Sequence, residues 1–358
     1  MTHFLRDILR QPAELQRTID FLMGPGKPAL DKATATVRGA RHVYLTGIGS
    51  SWHAVLTAGP LFQLSARPVY LQDAAELLQF ATIPRDSAII VISRSGRSVE
   101  IVNLLAKVHN SGVTVIGVSN SPDGPLAREA QIPIVIPIAM DHAISVNTYS
   151  TLAATAAILA SAVVGSWNAN LAASLHRAFE NTASAIPVWQ AQIADSPWLA
   201  PQSVYYFLGR GSSLGSCHEA RLLWEEGVKS PATALGTGGF RHGAQEIVRK
   251  NMRFGIWIDG ERMRAQDLAV ARDLRRLEAS VMLIGQDLPN DAADLMFQLP
   301  PVPAAWQFLI DIIPAQLSAE RLSRLSGVDC DSFRFSSFIV QDEYGLFREE
   351  AGTPNDPK

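Results

Sequence analysis

Residues 89–105 read IIVISRSGRSVEIVNLL, and their interpretation decides the fold. Ile89 to Ile92 form an uninterrupted β-branched run, the pattern of a strand covered on both faces. The run stops at Ser93-Arg94-Ser95-Gly96-Arg97-Ser98, and Val99, Ile101, Val102, Leu104 and Leu105 resume at helical spacing. A strand that turns into a helix N-terminus leaves backbone N–H groups unpaired at the positive end of the helix dipole, which suits an anion. Gly96 permits the tight turn, the serines add hydroxyl donors, and Arg94 and Arg97 add charge. A helix cap requires one serine. Three serines and two arginines in six residues exceed that need, so the turn reads as a phosphate site.

Outward from this unit, strands and helices alternate. HVYLTG (42–47) reads as a buried strand, and Gly47-Ile48-Gly49-Ser50-Ser51 opens a helix from Trp52 to Leu64. A short strand (69–71), a helix (74–80), the central unit, and strands at 113–119 and 132–137 follow, then the loop 140–147 and a long helix. Such alternation predicts a parallel sheet covered by helices on both faces. Before it, residues 4–23 show helical spacing, with Pro12 expected to split two short helices, and 29–38 continue helical.

The opening pattern then returns. VYYFLGRGSS (204–213) matches HVYLTGIGSS (42–51), with glycines at 47 and 209 and Ser-Ser pairs at 50 and 212, an offset of 162 in both cases. This reads as an internal duplication. Strands at 254–259, 280–285 and 296–299 and helices at 265–277 and 304–325 complete the second half, with residues 166–198 forming one or two connecting helices. The halves are unequal. At the same offset, Ser93-Arg94-Ser95-Gly96 meets Gly255, Ile256, Trp257 and Ile258, while residues 219–247 are dense in titrating groups. One half is built to hold an anion and the other to move protons. The division expected is a helical segment (1–37), two domains (38–165 and 199–345) joined by helices (166–198), and a C-terminal tail (346–358).

Composition narrows the classes. At 358 residues the chain exceeds one ordinary core, and 47% hydrophobic with 18% charged residues fits a well-buried globule. A net charge of −3 leaves no electrostatic footprint for nucleic acid or an anionic membrane. Cys217 and Cys330 are too few and too distant for a disulfide scaffold or a zinc site, which fits a reducing cytoplasm. The opening MTHFLRDILRQ carries charge within its apolar stretch, unlike a signal peptide. The apolar run at 152–164 is shorter than a membrane span. Only six lysines are present, which limits imine chemistry. No histidine pair has i, i+4 ligand spacing, so neither a metal nor a cofactor is expected.

The tandem strand-GxGSS-helix units, the S-x-S-G-x-S turn at 93–98 and the E-x15-H-G pattern from Glu226 to Gly243 resemble the sugar isomerase (SIS) domain family. More narrowly the chain resembles the isomerase half of glucosamine-6-phosphate synthase and its stand-alone relatives, among them amino-sugar-phosphate deaminases and isomerases and fructosamine-6-phosphate deglycases. The opening DILRQPAELQRTI (7–19) also resembles the helix with which these proteins begin. The resemblance implies an α/β fold with two SIS domains, each a flavodoxin-like parallel-sheet αβα sandwich, after an N-terminal helical segment. It places a sugar phosphate on Ser51, Ser93, Arg94, Ser95 and Ser98, and makes 144–148, with Ser145, a segment that closes over the sugar. It assigns Glu226 as the proton shuttle between adjacent carbons and His242, sixteen residues later, as the ring-opening group. Because that histidine can come from a neighbouring subunit, it further implies a homodimer with shared active sites.

The residues themselves suit those roles. A partly buried carboxylate beside Trp224 can have its pKa raised towards neutrality, and imidazole can exchange protons with ring and carbonyl oxygens. A remote phosphate anchor supplies binding energy that orients the reacting carbons. Glu225 reads as a surface or ion-paired residue, Arg97 as a salt-bridge partner, Cys217, Trp52 and Trp224 as packing, and His53 as a helix-packing residue within reach of the site.

Two departures from the family matter. Leu223 stands where the synthase branch has a lysine, and Phe338 stands at the position of its C-terminal, imine-linked lysine. Lys229 is the only lysine near the expected site. These departures, and the lack of a glutaminase domain ahead of residue 1, argue against fructose-6-phosphate amination. The expectation is a phosphosugar isomerase or deaminase acting on a hexose- or hexosamine-6-phosphate by aldose–ketose proton transfer. A fructosamine-6-phosphate deglycase is the alternative. A sugar-phosphate sensor is a third reading, disfavoured because residues 1–37 are too short and insufficiently basic for a DNA-binding domain.

Overall fold

The computed structural model describes residues 1–335, 338–343 and 345. The tail expected at 346–358 and two residues of the 331–338 stretch, Ser336 and Ser337, lie outside them. Helices α1 (His3–Met23) and α2 (Lys27–Gly39) come first. They lead into β1 (His42–Thr46), α3 (Ser50–Gln63), β2 (Tyr70–Leu71), α4 (Ala74–Phe80), β3 (Ser87–Ser93) and α5 (Val99–Val108). β4 (Thr114–Ser119), α6 (Pro125–Glu129), β5 (Ile132–Val135) and α7 (Asn147–Val164) close the first half, and α8 (Ala169–Ala194) crosses to the second. There, β6 (Tyr205–Gly209), α9 (Ser213–Leu223), β7 (Ala232–Gly236), α10 (Thr237–Phe240), β8 (Arg253–Trp257) and α11 (Arg264–Arg276) follow. β9 (Ser280–Gly285), β10 (Leu295–Gln298), α12 (Phe308–Asp311) and α13 (Ile313–Leu325) end the chain of regular elements.

Two five-stranded parallel sheets result, ordered β2-β1-β3-β4-β5 and β7-β6-β8-β9-β10. The second repeats the strand order of the first. β3 is buried along all seven residues. Ile90 and Ile92 face the large central core, whereas Ile89 and Val91 pack on the other side with Leu104 and Leu105 of α5. Burial on both faces explains the unbroken apolar run. The central core is shared by both halves: Val55 and Ala58 of α3, Ile158 of α7, Leu223 of α9 and Leu317 of α13 belong to one cluster. α7 is long and apolar enough to cross a membrane, but 89% of it is buried inside the molecule.

Several elements differ from expectation. α1 runs unbroken through Pro12, whose ring is buried against the core. The lost backbone hydrogen bond costs about 3 kcal/mol in an isolated helix, and packing along the apolar stripe holds the helix together. The helix expected at 304–325 is divided into a 3₁₀ turn, α12 and α13, whereas 166–198 holds a single helix, α8, within the one or two expected. The register also corrects the offset between halves. Thr46 pairs with Val91 and Leu208 with Ile256, so β1 and β6 differ by 162 but β3 and β8 by 165. The counterpart of Ser93 is therefore Ile258, followed by Asp259 and Gly260, and the second half still lacks a serine nest.

Candidate active site

The turn after β3 is held by its own hydroxyls. Ser93 Oγ accepts from the Gly96 N–H at 3.0 Å and Ser95 Oγ from the Arg97 N–H at 3.2 Å. Each hydroxyl proton is therefore left to donate to a ligand. Ser98 is the N-cap residue of α5, and its side chain makes no capping bond. Gly96 has φ +64°, and a Cβ there would lie 2.8 Å from Leu126 Cβ. A Cβ on Gly124 would sit 2.2 Å from the Ser95 carbonyl oxygen, so the start of α6 buttresses the turn.

Ser51, Ser93, Arg94, Ser95, Ser98 and Ser145 line one cavity of about 250 Å³, and Glu226 lines it too. Seven of the eight residues singled out from sequence thus converge. Ser51 comes from the first turn of α3, Ser145 from the loop before α7 and Glu226 from the end of α9. There the helix widens into a single π-turn, Trp224–Val228. The turn buries Trp224, leaves Glu225 to pair with Arg221 and directs Glu226 to the cavity. π-turns of this kind are frequent at functional sites.

Burial, reinforced by the nearby Glu219 carboxylate, pushes the Glu226 pKa up to about 8, against the opposing pull of Arg94 and Lys229. A carboxyl group so placed can hold or release a proton near neutral pH. Glu219 itself is buried: its Oε2 lies 2.7 Å from His53 Nδ1 and its Oε1 accepts from Ser50 Oγ at 3.0 Å. His53 stacks on His218, whose pKa is lowered to about 4 by burial and by the charges of His53 and Arg221. Glu219 escaped sequence analysis, although its seven-residue spacing from Glu226 places both on nearly the same side of a helix.

Arg94 lines the cavity and also braces its wall. Its guanidinium donates to the Ala143 carbonyl (3.0 Å), Ser145 Oγ (3.3 Å) and the Phe338 carbonyl (3.1 Å). It therefore ties the loop before α7 and the C-terminal strap to the cavity wall. Burial lowers its pKa, while Asp141 and Glu226 oppose that shift. The loop is fixed from the other side by Asp141, which accepts from the N–H groups of Val146, Asn147 and Thr148. The strap reaches the serine turn directly, since the Val99 N–H at the start of α5 donates to the Val340 carbonyl at 3.0 Å.

His242 is not brought to this cavity. It is exposed, in the turn after α10, and does not line the space around Glu226. Lys229 adopts φ +58°, and its ammonium donates to the Glu226 and Ser332 carbonyl oxygens. Arg97 bonds the Asp123 carbonyl rather than a carboxylate. Leu223 is fully buried, Phe338 lines the cavity, and Cys217 is inert packing whose thiol pKa is pushed up by burial. Among the described residues, no group of three or more His, Cys, Asp or Glu side chains could hold a metal ion.

The family model described as SIS domain matches residues 36–164, the stretch that carries the serine turn. The chain is 23% identical over 342 residues to the glutamine–fructose-6-phosphate aminotransferase (isomerizing) of Bacillus subtilis (strain 168), covering 93% of this chain and 57% of the relative. It thus spans little more than half the length of that relative. Its fold is similar to the C-terminal domain of glucosamine-fructose-6-phosphate aminotransferase from Francisella tularensis, with a TM-score of 0.81 at 19% identity, covering 92% of this chain and 97% of the other. It is also similar to glucosamine-6-phosphate deaminase from Thermotoga maritima, with a TM-score of 0.78 at 18% identity, covering 95% and 99%.

Proposed function

We propose that the chain is a phosphosugar isomerase or deaminase acting on a hexose- or hexosamine-6-phosphate, with residues 199–345 forming a second SIS domain beside that of 38–165. The observation that carries this reading is the convergence of Ser51, Ser93, Ser95 and Ser98 with Glu226 on one cavity. The serine hydroxyls and the N-terminus of α5 hold the phosphate. Glu226 then moves a proton between C1 and C2 of the opened sugar, taking it from one carbon and returning it to the other. The raised pKa serves that exchange, because the carboxyl must be a base in one half-step and an acid in the next. His242, exposed and apart from Glu226 in its own chain, opens the ring across a homodimer.

Incubation with fructose-6-phosphate and with glucosamine-6-phosphate, following the ketose–aldose ratio and ammonia release, tests the reading. Turnover of either that disappears in Glu226→Gln supports it. Binding without turnover, equal in wild type and Glu226→Gln, would replace it with a sensor. Mixing Glu226→Gln and His242→Asn chains tests the shared site: activity returns in the mixture only if each subunit lends a residue to the other.

A further inference from the structure

Ser50 lies in the first turn of α3, on the wall of the cavity that also holds Glu226. Its Oγ donates to Glu219 Oε1 at 3.0 Å, and the other carboxylate oxygen, Oε2, lies 2.7 Å from His53 Nδ1. Glu219 and His53 are buried and do not line the cavity. Ser50 is thus a hydroxyl through which that buried carboxylate meets the cavity, and its lone pairs remain able to accept from a ligand. Among the described residues, the other titrating side chains on the wall stand elsewhere or have other work. Arg94 is tied to the Ala143 and Phe338 carbonyls, and Glu100 sits two residues beyond Ser98, at the serine-turn end. Glu226 is given to the carbons by the proposed function. Leu223, one helical turn after Glu219, is fully buried hydrocarbon and offers no proton carrier.

We propose that Ser50 is a catalytic residue that moves the second proton of the reaction, the one exchanged between the oxygens on C1 and C2, with Glu219 holding it in transit. The inference rests on the proposed function, because carrying a proton from C1 to C2 turns a ketose into an aldose only if a proton also leaves O1 and one reaches O2. The step follows ring opening, which that function gives to His242. As Glu226 lifts the proton from C1, the O1 hydroxyl passes its proton to Ser50 Oγ, and the proton that Ser50 had donated to Glu219 Oε1 is held there. It returns through Ser50 to O2, while Glu226 delivers the carbon-bound proton to C2. The C1–H and O1–H bonds break, C2–H and O2–H form, and the carbonyl moves from C2 to C1. Ser50 and Glu219 end with the protons they began with, and no oxidant or reductant is consumed. For glucosamine-6-phosphate the nitrogen on C2 takes the place of O2. A hydroxyl backed by a carboxylate is a proton carrier of the ordinary general acid–base kind.

Steady-state kinetics of the full-length chain, on whichever of fructose-6-phosphate and glucosamine-6-phosphate it turns over, tests the relay. Ser50→Ala is expected to lower kcat about 100-fold with KM changed less than about threefold, the signature of a group that acts in the transition state. Ser50→Thr, which keeps the hydroxyl, is expected to retain most of the activity. Glu219→Gln lowers kcat by a similar factor, and adding Ser50→Ala to it costs less than about threefold more, because one path is broken in both. Wild-type kcat in Ser50→Ala, equal losses in Ser50→Ala and Ser50→Thr, or single losses that multiply in the double variant overturn the relay. The proposed function then still stands on the loss of turnover in Glu226→Gln. Absence of turnover of both substrates by the wild-type chain overturns both.

Discussion

The Nδ1 of His53 lies 2.7 Å from Oε2 of Glu219, a buried contact between α3 of the first half and α9 of the second. It fixes a negative charge on the same helix as the proton-shuttle candidate, two turns before Glu226. Glu219 repels a second negative charge, and so helps to keep Glu226 protonated. Replacing Glu219 with Gln removes that repulsion. The rising limb of kcat/KM against pH, where Glu226 acts as base, moves to lower pH by roughly one pH unit. A profile that shifts upward, or not at all, removes Glu219 from the electrostatics of the site.

Glu226 itself trades stability for function. Its folded-state pKa of about 8 stands above the ordinary 4.5, so between those values the folded chain retains a proton that the unfolded chain has released. Stability therefore falls as pH rises through that window, and the whole penalty is in place above it. Glu226→Gln, which cannot ionise, is expected to unfold later than wild type near pH 9, by about 2 kcal/mol after solvent screening, and to match it near pH 4. Denaturant melts at the two pH values check this, and the same variant loses turnover by at least about 100-fold.

The serine turn admits little change. Gly124→Ala drives a methyl group against the Ser95 carbonyl, and Gly96→Ala adds both a clash with Leu126 and a positive φ. Each is expected to cost about 1–3 kcal/mol and to weaken fructose-6-phosphate binding at least tenfold. Ser95→Ala, which removes one donor and leaves the backbone in place, weakens binding by about tenfold with less than about 1 kcal/mol lost in denaturant melts.

Arg94 couples the loop before α7 to the strap through Ala143, Ser145 and Phe338. Arg94→Ala is expected to raise amide exchange at 142–146 and at 338–343 together, and KM by about tenfold, because a guanidinium fork bridging two segments has no substitute. Exchange that rises in one segment alone means that the fork does not join them.

Much of this was legible because β3 and its turn follow from burial: a doubly covered strand must be apolar throughout, and a run of serines with a glycine breaks that pattern sharply. The constant 162-residue offset held for β1 and β6 but slipped by three at β8, since the connections between strands lengthened independently. β7 went unseen because Ala232-Thr233-Ala234-Leu235-Gly236 has little β-branched character, and an edge strand requires less of it. α6 is too short to show a period. Glu219 and Asp141 are single acidic residues whose partners lie 166 and 5–7 residues away, and spacing alone does not advertise such contacts. Arg94 was legible as a residue of the cavity, but its bonds to the Ala143 and Phe338 carbonyls were not, because backbone acceptors have no sequence signature.

At the crossing of α3 and α9, a Cβ on Gly215 would fall 2.4 Å from Thr57 Cγ2 and 2.6 Å from the His53 carbonyl oxygen. Two helices pressed together so closely, with a carboxylate–imidazole bolt beside the contact, cannot rock like the jaws of a clamshell. Any opening of the cavity would instead part the ribbon at 338–343, whose bonds to Arg94, Asn103 and Val99 lie apart from that crossing.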